Sequence, residues 1–197
     1  MSFHLGLTGS IGMGKSTTAR MFAEEGCDVY DADAAVHRLY STAGAAVLPM
    51  AAAFPDAVVD GAVSRDKLKE AIAADSGALK RIEQIVHPLL GADRAEFLAQ
   101  ATSDIIVFDI PLLFETGGDA RMDAVACVSI PPETQRARVM ERGTMTEAQF
   151  ETILAKQMPN DQKVARSDYV IVTDTPEHAR QQVRGVIAAI RKQMQDA

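Results

Sequence analysis

Apolar and polar residues alternate along Phe3-His4-Leu5-Gly6-Leu7-Thr8 and run into a glycine, the period of a strand followed by a turn. The period then changes. Across residues 15–25, Ala19, Phe22 and Ala23 fall at i, i+3, i+4 spacing, which predicts a helix with Gly26 as its stop. Cys27-Asp28-Val29-Tyr30 reads as a short second strand. Further on, residues 105–108 and 124–130 are apolar runs, the second with Ser129 as its one polar residue, the pattern of strands buried on both faces, and Tyr169-Val170-Ile171-Val172 predicts a fifth strand. Between them, residues 132–142 predict a helix with proline in its first turn. Thr146-Glu147-Ala148-Gln149 fits a capping box that opens another, and residues 177–194 form a long closing helix.

Strands that alternate with helices imply an α/β fold with a parallel sheet covered on both faces. Residues 33–101 interrupt this rhythm. They read as mostly helical, with Ser64 and Ser76 as N-caps and His87-Pro88 as a helix start. That stretch is too long for a simple crossover and predicts an inserted subdomain that shapes a second ligand site. Residues 142–166 are polar, lie between two strands and are a candidate mobile lid.

Composition narrows the function classes. The net charge of −7 argues against a nucleic-acid surface, which carries a basic stripe, but leaves room for a small polyanion held by a local group of cations and amides. Cys27 and Cys127 form no CxxC pair and read as core thiols in a reducing compartment. No zinc-ligand spacing appears among the cysteines and four histidines. The longest apolar stretch, 43–54, is broken by Gly44 and Pro49 and is too short to span a bilayer. No signal-peptide layout precedes the glycine-rich loop, so the cytoplasm is the default location.

The chemistry begins at Gly9-Ser10-Ile11-Gly12-Met13-Gly14-Lys15-Ser16, which satisfies GxxxxGK[ST] at every fixed position and sits between a predicted strand and a predicted helix. Glycines let the backbone curl so that successive N–H groups face phosphate oxygens, and the helix N-terminus adds its dipole. Lys15 then reaches the β- and γ-phosphates, and the Ser16 hydroxyl is a ligand for Mg²⁺. A nucleoside triphosphate with Mg²⁺ is the implied ligand.

Two carboxylate positions fall at predicted strand ends, where open α/β sheets bind ligands. Asp33, in Asp31-Ala32-Asp33, could accept the proton of an acceptor hydroxyl; either aspartate could instead cap the following helix, residues 34–40. Asp109 could hold a water on Mg²⁺ or orient Ser16, or could be a strand-end turn residue. Arg136, Arg138 and Arg142 share one predicted helix, where arginines either solvate a face or bring charge to a moving phosphoryl group.

These pieces form a recognisable set. Residues 7–17, Asp31-Ala32-Asp33, His87-Pro88-Leu89, Asp109-Ile110-Pro111-Leu112-Leu113-Phe114-Glu115, residues 138–142, Gln157 and Ser167-Asp168-Tyr169-Val170-Ile171 together resemble the dephospho-CoA kinase family, in order and over nearly the whole chain. The resemblance implies a P-loop NTPase-type five-stranded parallel sheet covered by helices, with an inserted helical acceptor-binding subdomain and a lid over ATP. It implies a single kinase domain over 1–197, with core segments near 1–32, 104–135 and 168–197, the insertion near 33–103 and the lid near 136–167. The implied reaction is ATP-dependent phosphorylation of the ribose 3′-hydroxyl of dephospho-CoA, which gives coenzyme A. Carried onto matching positions, the resemblance gives Asp33, Lys15 and Arg142 as catalytic. ATP falls to Gly9, Gly12, Met13, Gly14, Lys15, Ser16, Thr17, Arg138 and Arg142, and the acceptor to Asp33, His87, Asp109, Leu113 and Gln157. Neither nucleic acid, membrane nor protein partner is implied. The chain departs from the family pattern at Ser10, at the bulky Met13, and at Thr173-Asp174-Thr175-Pro176, where the family often has Asn-x-Gly.

Two rivals remain at this level. Another small-molecule P-loop kinase, of the nucleoside monophosphate or shikimate type, would share the loop but not the other segments. A GTP-binding switch would need an Asn-Lys-x-Asp motif, and the sequence contains none.

Overall fold

The computed structural model describes residues 2–196. The chain divides into two compact units, one built from residues 1–30 and 102–197 and the other from residues 31–101.

In chain order, β1 (Phe3–Thr8) leads through the glycine-rich loop to α1 (Lys15–Glu24), and β2 (Asp28–Asp31) follows. The second unit then comprises α2 (Ala32–Tyr40), α3 (Val47–Ala53), the short strands β3 (Val58–Val59) and β4 (Ala62–Val63), α4 (Arg65–Ala74) and α5 (Ala78–Gln100). The chain returns with β5 (Ile105–Asp109), β6 (Ala124–Ser129), α6 (Pro132–Glu141), α7 (Glu147–Leu154), α8 (Asn160–Arg166), β7 (Tyr169–Val172) and α9 (Pro176–Asp196).

The main sheet has five strands in the order β2-β5-β1-β6-β7. β1 lies near its centre, parallel to β5 on one side and β6 on the other, and β6 is parallel to β7. The register sets Leu7 beside Asp109 and Thr8 beside Cys127, so the C-terminal ends of the central strands come level with the start of the glycine-rich loop. The continuous apolar runs are explained by this position: Leu5, Leu7, Ile105, Val107, Ala126 and Val128 are buried, with Phe22 of α1 and Val183, Ile187 and Ile190 of α9 packed in the same core. Truncating a side chain such as fully buried Phe22 to alanine would cost about 3–5 kcal/mol.

The second unit has its own core. Leu39, Met50, Phe54, Leu68, Ile82 and Val86 cluster there, and β3 and β4 form a small antiparallel ladder that the helical reading of residues 33–101 did not foresee. Two boundary expectations are corrected. Gly77, not Ser76, is the N-cap of α5, while the Asp75 carboxylate accepts the Gly77 N–H at 2.8 Å. Pro88 lies inside α5 rather than at a helix start. A proline deletes one ladder hydrogen bond and crowds the preceding turn. The helix continues through it because Ala78, Ile82 and Val86 stay buried on the opposite face, while His87 and Pro88 are exposed. Ser64 does cap α4, its hydroxyl accepting from Lys67 N–H at 3.3 Å.

Candidate active site

The loop at 9–16 is shaped by two left-handed glycines, Gly12 at φ 77° and Gly14 at φ 90°. Any side chain at Gly12 would also place its Cβ 2.4 Å from Val139 Cγ2, so the residue type is fixed twice over. Met13, the bulky exception, turns inward and is 1% exposed. Its sulfur accepts from the Ile130 N–H at 3.2 Å and its carbonyl accepts from the Thr173 hydroxyl at 2.7 Å. The residue thus ties the loop to the segment after β6 through its side chain and to the segment after β7 through its carbonyl. The Met13 amide, expected to face phosphate, donates within the loop to the Ser10 carbonyl at 3.2 Å.

Gly14 is the N-cap of α1, with no side chain capping the helix and no acidic residue in its first turn. The first helical bond back is from Thr18 N–H to the Gly14 carbonyl at 3.0 Å, so the amides of Lys15, Ser16 and Thr17 precede the helix ladder. Such a terminus favours an anion. The Lys15 ammonium forms an ion pair with the Asp109 carboxylate at the end of β5, and Asp109 is 3% exposed. Ser16 and Thr17 are exposed. The Ser16 hydroxyl and the Asp109 carboxylate are hard oxygen donors of the kind Mg²⁺ takes when phosphates and water supply the rest. Among the described residues no three His, Cys, Asp or Glu side chains cluster as an all-protein metal cage.

The remaining predicted residues of this unit have mixed fates. The Gln157 side-chain oxygen accepts from Ile11 N–H at 3.1 Å, and the side chain of Gln135, buried on α6, donates to the Ile11 carbonyl at 2.6 Å. Arg138 donates to the carbonyls of Thr173 at 2.8 Å and Asp174 at 3.1 Å, and so braces the turn whose threonine holds Met13. Arg142 follows α6 as its C-cap and is exposed. Arg136 pairs with Glu147 at the start of α7. Leu113 is fully buried with Phe114 and Val125, a core residue, whereas neighbouring Leu112 is exposed.

Glu115 and Lys163 were not anticipated. Lys163 is fully buried on α8 and lies 2.9 Å from Glu115 Oε1. Burial works against ionisation of Glu115. The Lys163 hydrogen bond and charge, with the Met158 N–H, outweigh it and hold the carboxyl below its ordinary value. Glu115 closes a segment that was already conspicuous, but Lys163 sits in a polar stretch where nothing in the residue order marks it as buried. Cys27 and Cys127 are pushed up to about 11 by burial and are inert as thiolates.

In the other unit, Asp31 is the N-cap of α2, its carboxylate accepting from Ala34 N–H at 2.8 Å. Asp33 stands in the first turn of that helix, exposed, so it is not the cap. Arg38 of α2 grips Asp93 of α5 through both carboxylate oxygens, at 2.7 and 3.0 Å.

The family model described as dephospho-CoA kinase matches residues 3–178. The chain belongs to the dephospho-CoA kinase family. A dephospho-CoA kinase of Ruegeria pomeroyi is 74% identical over 191 residues, with 97% of each chain covered. A crystal structure from Thermus thermophilus superposes with a TM-score of 0.86 at 29% identity, covering 95% of this chain and 97% of that one. A Campylobacter jejuni dephospho-CoA kinase has the same fold, with a TM-score of 0.68 at 24% identity and 98% of each chain covered. Family membership makes the glycine-rich loop a nucleotide-binding P-loop and the protein a kinase with ATP as co-substrate. No helix among the described residues is long and apolar enough to cross a membrane.

Proposed function

We propose that this kinase transfers the γ-phosphoryl group of ATP to the ribose 3′-hydroxyl of dephospho-CoA and that Asp33 accepts the proton of that hydroxyl. The chain phosphorylates dephospho-CoA to coenzyme A at the expense of ATP, as its family does. The residue roles are our reading. The amides of Lys15, Ser16 and Thr17 at the start of α1 hold the phosphates, and Lys15 exchanges its Asp109 partner for phosphate oxygens when nucleotide enters. The observation that carries this reading is the Lys15–Asp109 pair at the N-terminus of α1, which no side chain caps and whose first turn holds no acidic residue.

Asp33 suits the base role because Asp31 already supplies the cap and leaves the second carboxylate exposed. As Asp33 takes the proton, the ribose oxygen bonds to the γ-phosphorus, the bond from that phosphorus to the bridging oxygen breaks, and ADP leaves. Arg142 supplies positive charge to the transferring group, since catalysis of phosphoryl transfer is largely positioning and charge stabilisation. Ser16, with Asp109 acting on it or through a water, would hold Mg²⁺. When bound, Mg²⁺ neutralises charge on the phosphate oxygens. His87, exposed on α5, belongs to the acceptor side. The reading places the enzyme in the cytoplasm with small-molecule substrates alone.

The test is product identity. Incubated with Mg-ATP and an equimolar mixture of dephospho-CoA, shikimate and nucleoside monophosphates, the protein should convert dephospho-CoA alone, with phosphorus NMR placing the new group on the ribose 3′-oxygen. Conversion of another acceptor in its place would contradict the reading.

A further inference from the structure

The Glu115–Lys163 pair is expensive. Lys163 is 0% exposed, Glu115 17%, and Glu115 Oε2 is buried without a hydrogen-bond partner among the described residues. A buried pair with an unsatisfied oxygen is poorly explained by stability, because apolar residues of the same volume often do as well or better. Where its hydrogen bonds lead is more informative. The Lys163 ammonium donates to the Pro111 carbonyl at 3.2 Å, and the same carbonyl accepts from the Thr8 hydroxyl at 3.1 Å. Thr8 immediately precedes Gly9 of the P-loop. Pro111 stands two residues after Asp109, the partner of Lys15. On the other side, Glu115 Oε1 accepts from Met158 N–H at 2.8 Å. The adjacent residue is Gln157, whose side chain accepts from the P-loop amide of Ile11 at 3.1 Å.

We infer that Glu115 and Lys163 are positioning residues for the nucleotide site, setting the P-loop from both sides through Pro111–Thr8 and through Met158–Gln157–Ile11. The inference rests on the nucleotide reading above. It assigns the pair no contact with substrate. Its charges act through the two segments that touch the loop, so loss of the pair should appear first in the use of ATP rather than in the use of dephospho-CoA.

The experiment separates this from a merely structural role. In the full-length enzyme, KM for ATP, KM for dephospho-CoA, kcat and melting temperature are measured for Lys163→Met, Glu115→Gln, the two together, Gln157→Ala, and Glu115→Gln with Gln157→Ala. The neutral double variant should regain most of the melting temperature lost by Lys163→Met. Its KM for ATP should stay raised by about tenfold, a size usual for coupling carried through packed networks, with KM for dephospho-CoA changed by less than about twofold. Gln157→Ala should raise KM for ATP on its own. Combined with Glu115→Gln its effect should be less than multiplicative, because both variants break one path. Recovery of both melting temperature and KM for ATP in the neutral double variant would reduce the pair to structure. Multiplicative effects, or a rise confined to KM for dephospho-CoA in Gln157→Ala, would remove the path through Ile11. These outcomes differ from failure of the nucleotide site itself, which would show as undiminished turnover in Lys15→Ala and would overturn both readings.

Discussion

Two lysine–carboxylate pairs lie in the same unit, and their chemistry is alike. Lys15 meets Asp109 at the mouth of the P-loop, with side-chain exposures of 14% and 4%. Lys163 meets Glu115 with exposures of 0% and 17%. The first pair stands at a helix N-terminus that favours an anion, so in the proposed reading its lysine has a second partner to move to. The second is tied into two backbone segments by hydrogen bonds from Lys163 to Pro111 and from Met158 to Glu115, and has no comparable alternative. The contrast teaches that burial of a charge does not identify its task. What matters is whether the charge can exchange its partner for substrate or is committed to holding backbone in place.

Breaking the first pair should act chiefly on chemistry. Lys15→Ala should reduce turnover by about two to three orders of magnitude, the scale of losing one transition-state donor. The variant also leaves the Asp109 carboxylate, 4% exposed, without its lysine, so the melting temperature should fall while the chain still folds. Steady-state kinetics beside a thermal melt checks both, and near-normal turnover would contradict the loop assignment.

Breaking the second pair should act chiefly on stability. Lys163→Met leaves the Glu115 carboxylate beside an apolar side chain and should cost about 3 kcal/mol of stability, the lower end of the range for uncompensated buried charges because Glu115 keeps some solvent access. Urea unfolding measures this. A loss much below 1 kcal/mol would mean that water already shields the pair.

The smallest effect is the dependence of the second pair on pH. Glu115 is held below its ordinary 4.5, so the stability it contributes is fully present above that value and is lost as pH falls through the lowered one. The stability difference between wild type and Glu115→Gln should therefore be constant from neutral pH to about pH 5, and should shrink below pH 4.5 as the wild type takes up the proton. Denaturant unfolding at a series of pH values tests the sign. A difference that widens in acid would contradict it.

The same contrast explains how much was legible beforehand. The strands of the sheet, α1 and the Thr146 cap were readable because their periodicity, glycine stop and capping chemistry are local. The kinase family was readable because its motifs are short and ordered. Ser76 and Pro88 misled for a physical reason: cap and proline preferences are local tendencies, and the buried face of α5 overrode them. Lys163 was hidden because a buried lysine in a polar stretch looks like a solvated one until its partner, 48 positions earlier, is placed beside it. The inward turn of Met13 was hidden likewise, since its partners Ile130 and Thr173 are remote in sequence. Asp33 was legible as a carboxylate at a strand end, but only the structure separates it from the cap at Asp31.

That separation makes Asp33 the most direct test of the proposed chemistry. Asparagine has nearly the size of aspartate but cannot take a proton at neutral pH. The Asp33→Asn enzyme should keep its melting temperature and its affinity for ATP, because Asp31 still caps α2 and the P-loop is untouched. Its kcat for dephospho-CoA should fall by about 10²–10⁴-fold, the range for loss of a general base. A stable Asp33→Asn enzyme that turns over dephospho-CoA at nearly the wild-type rate would contradict the account.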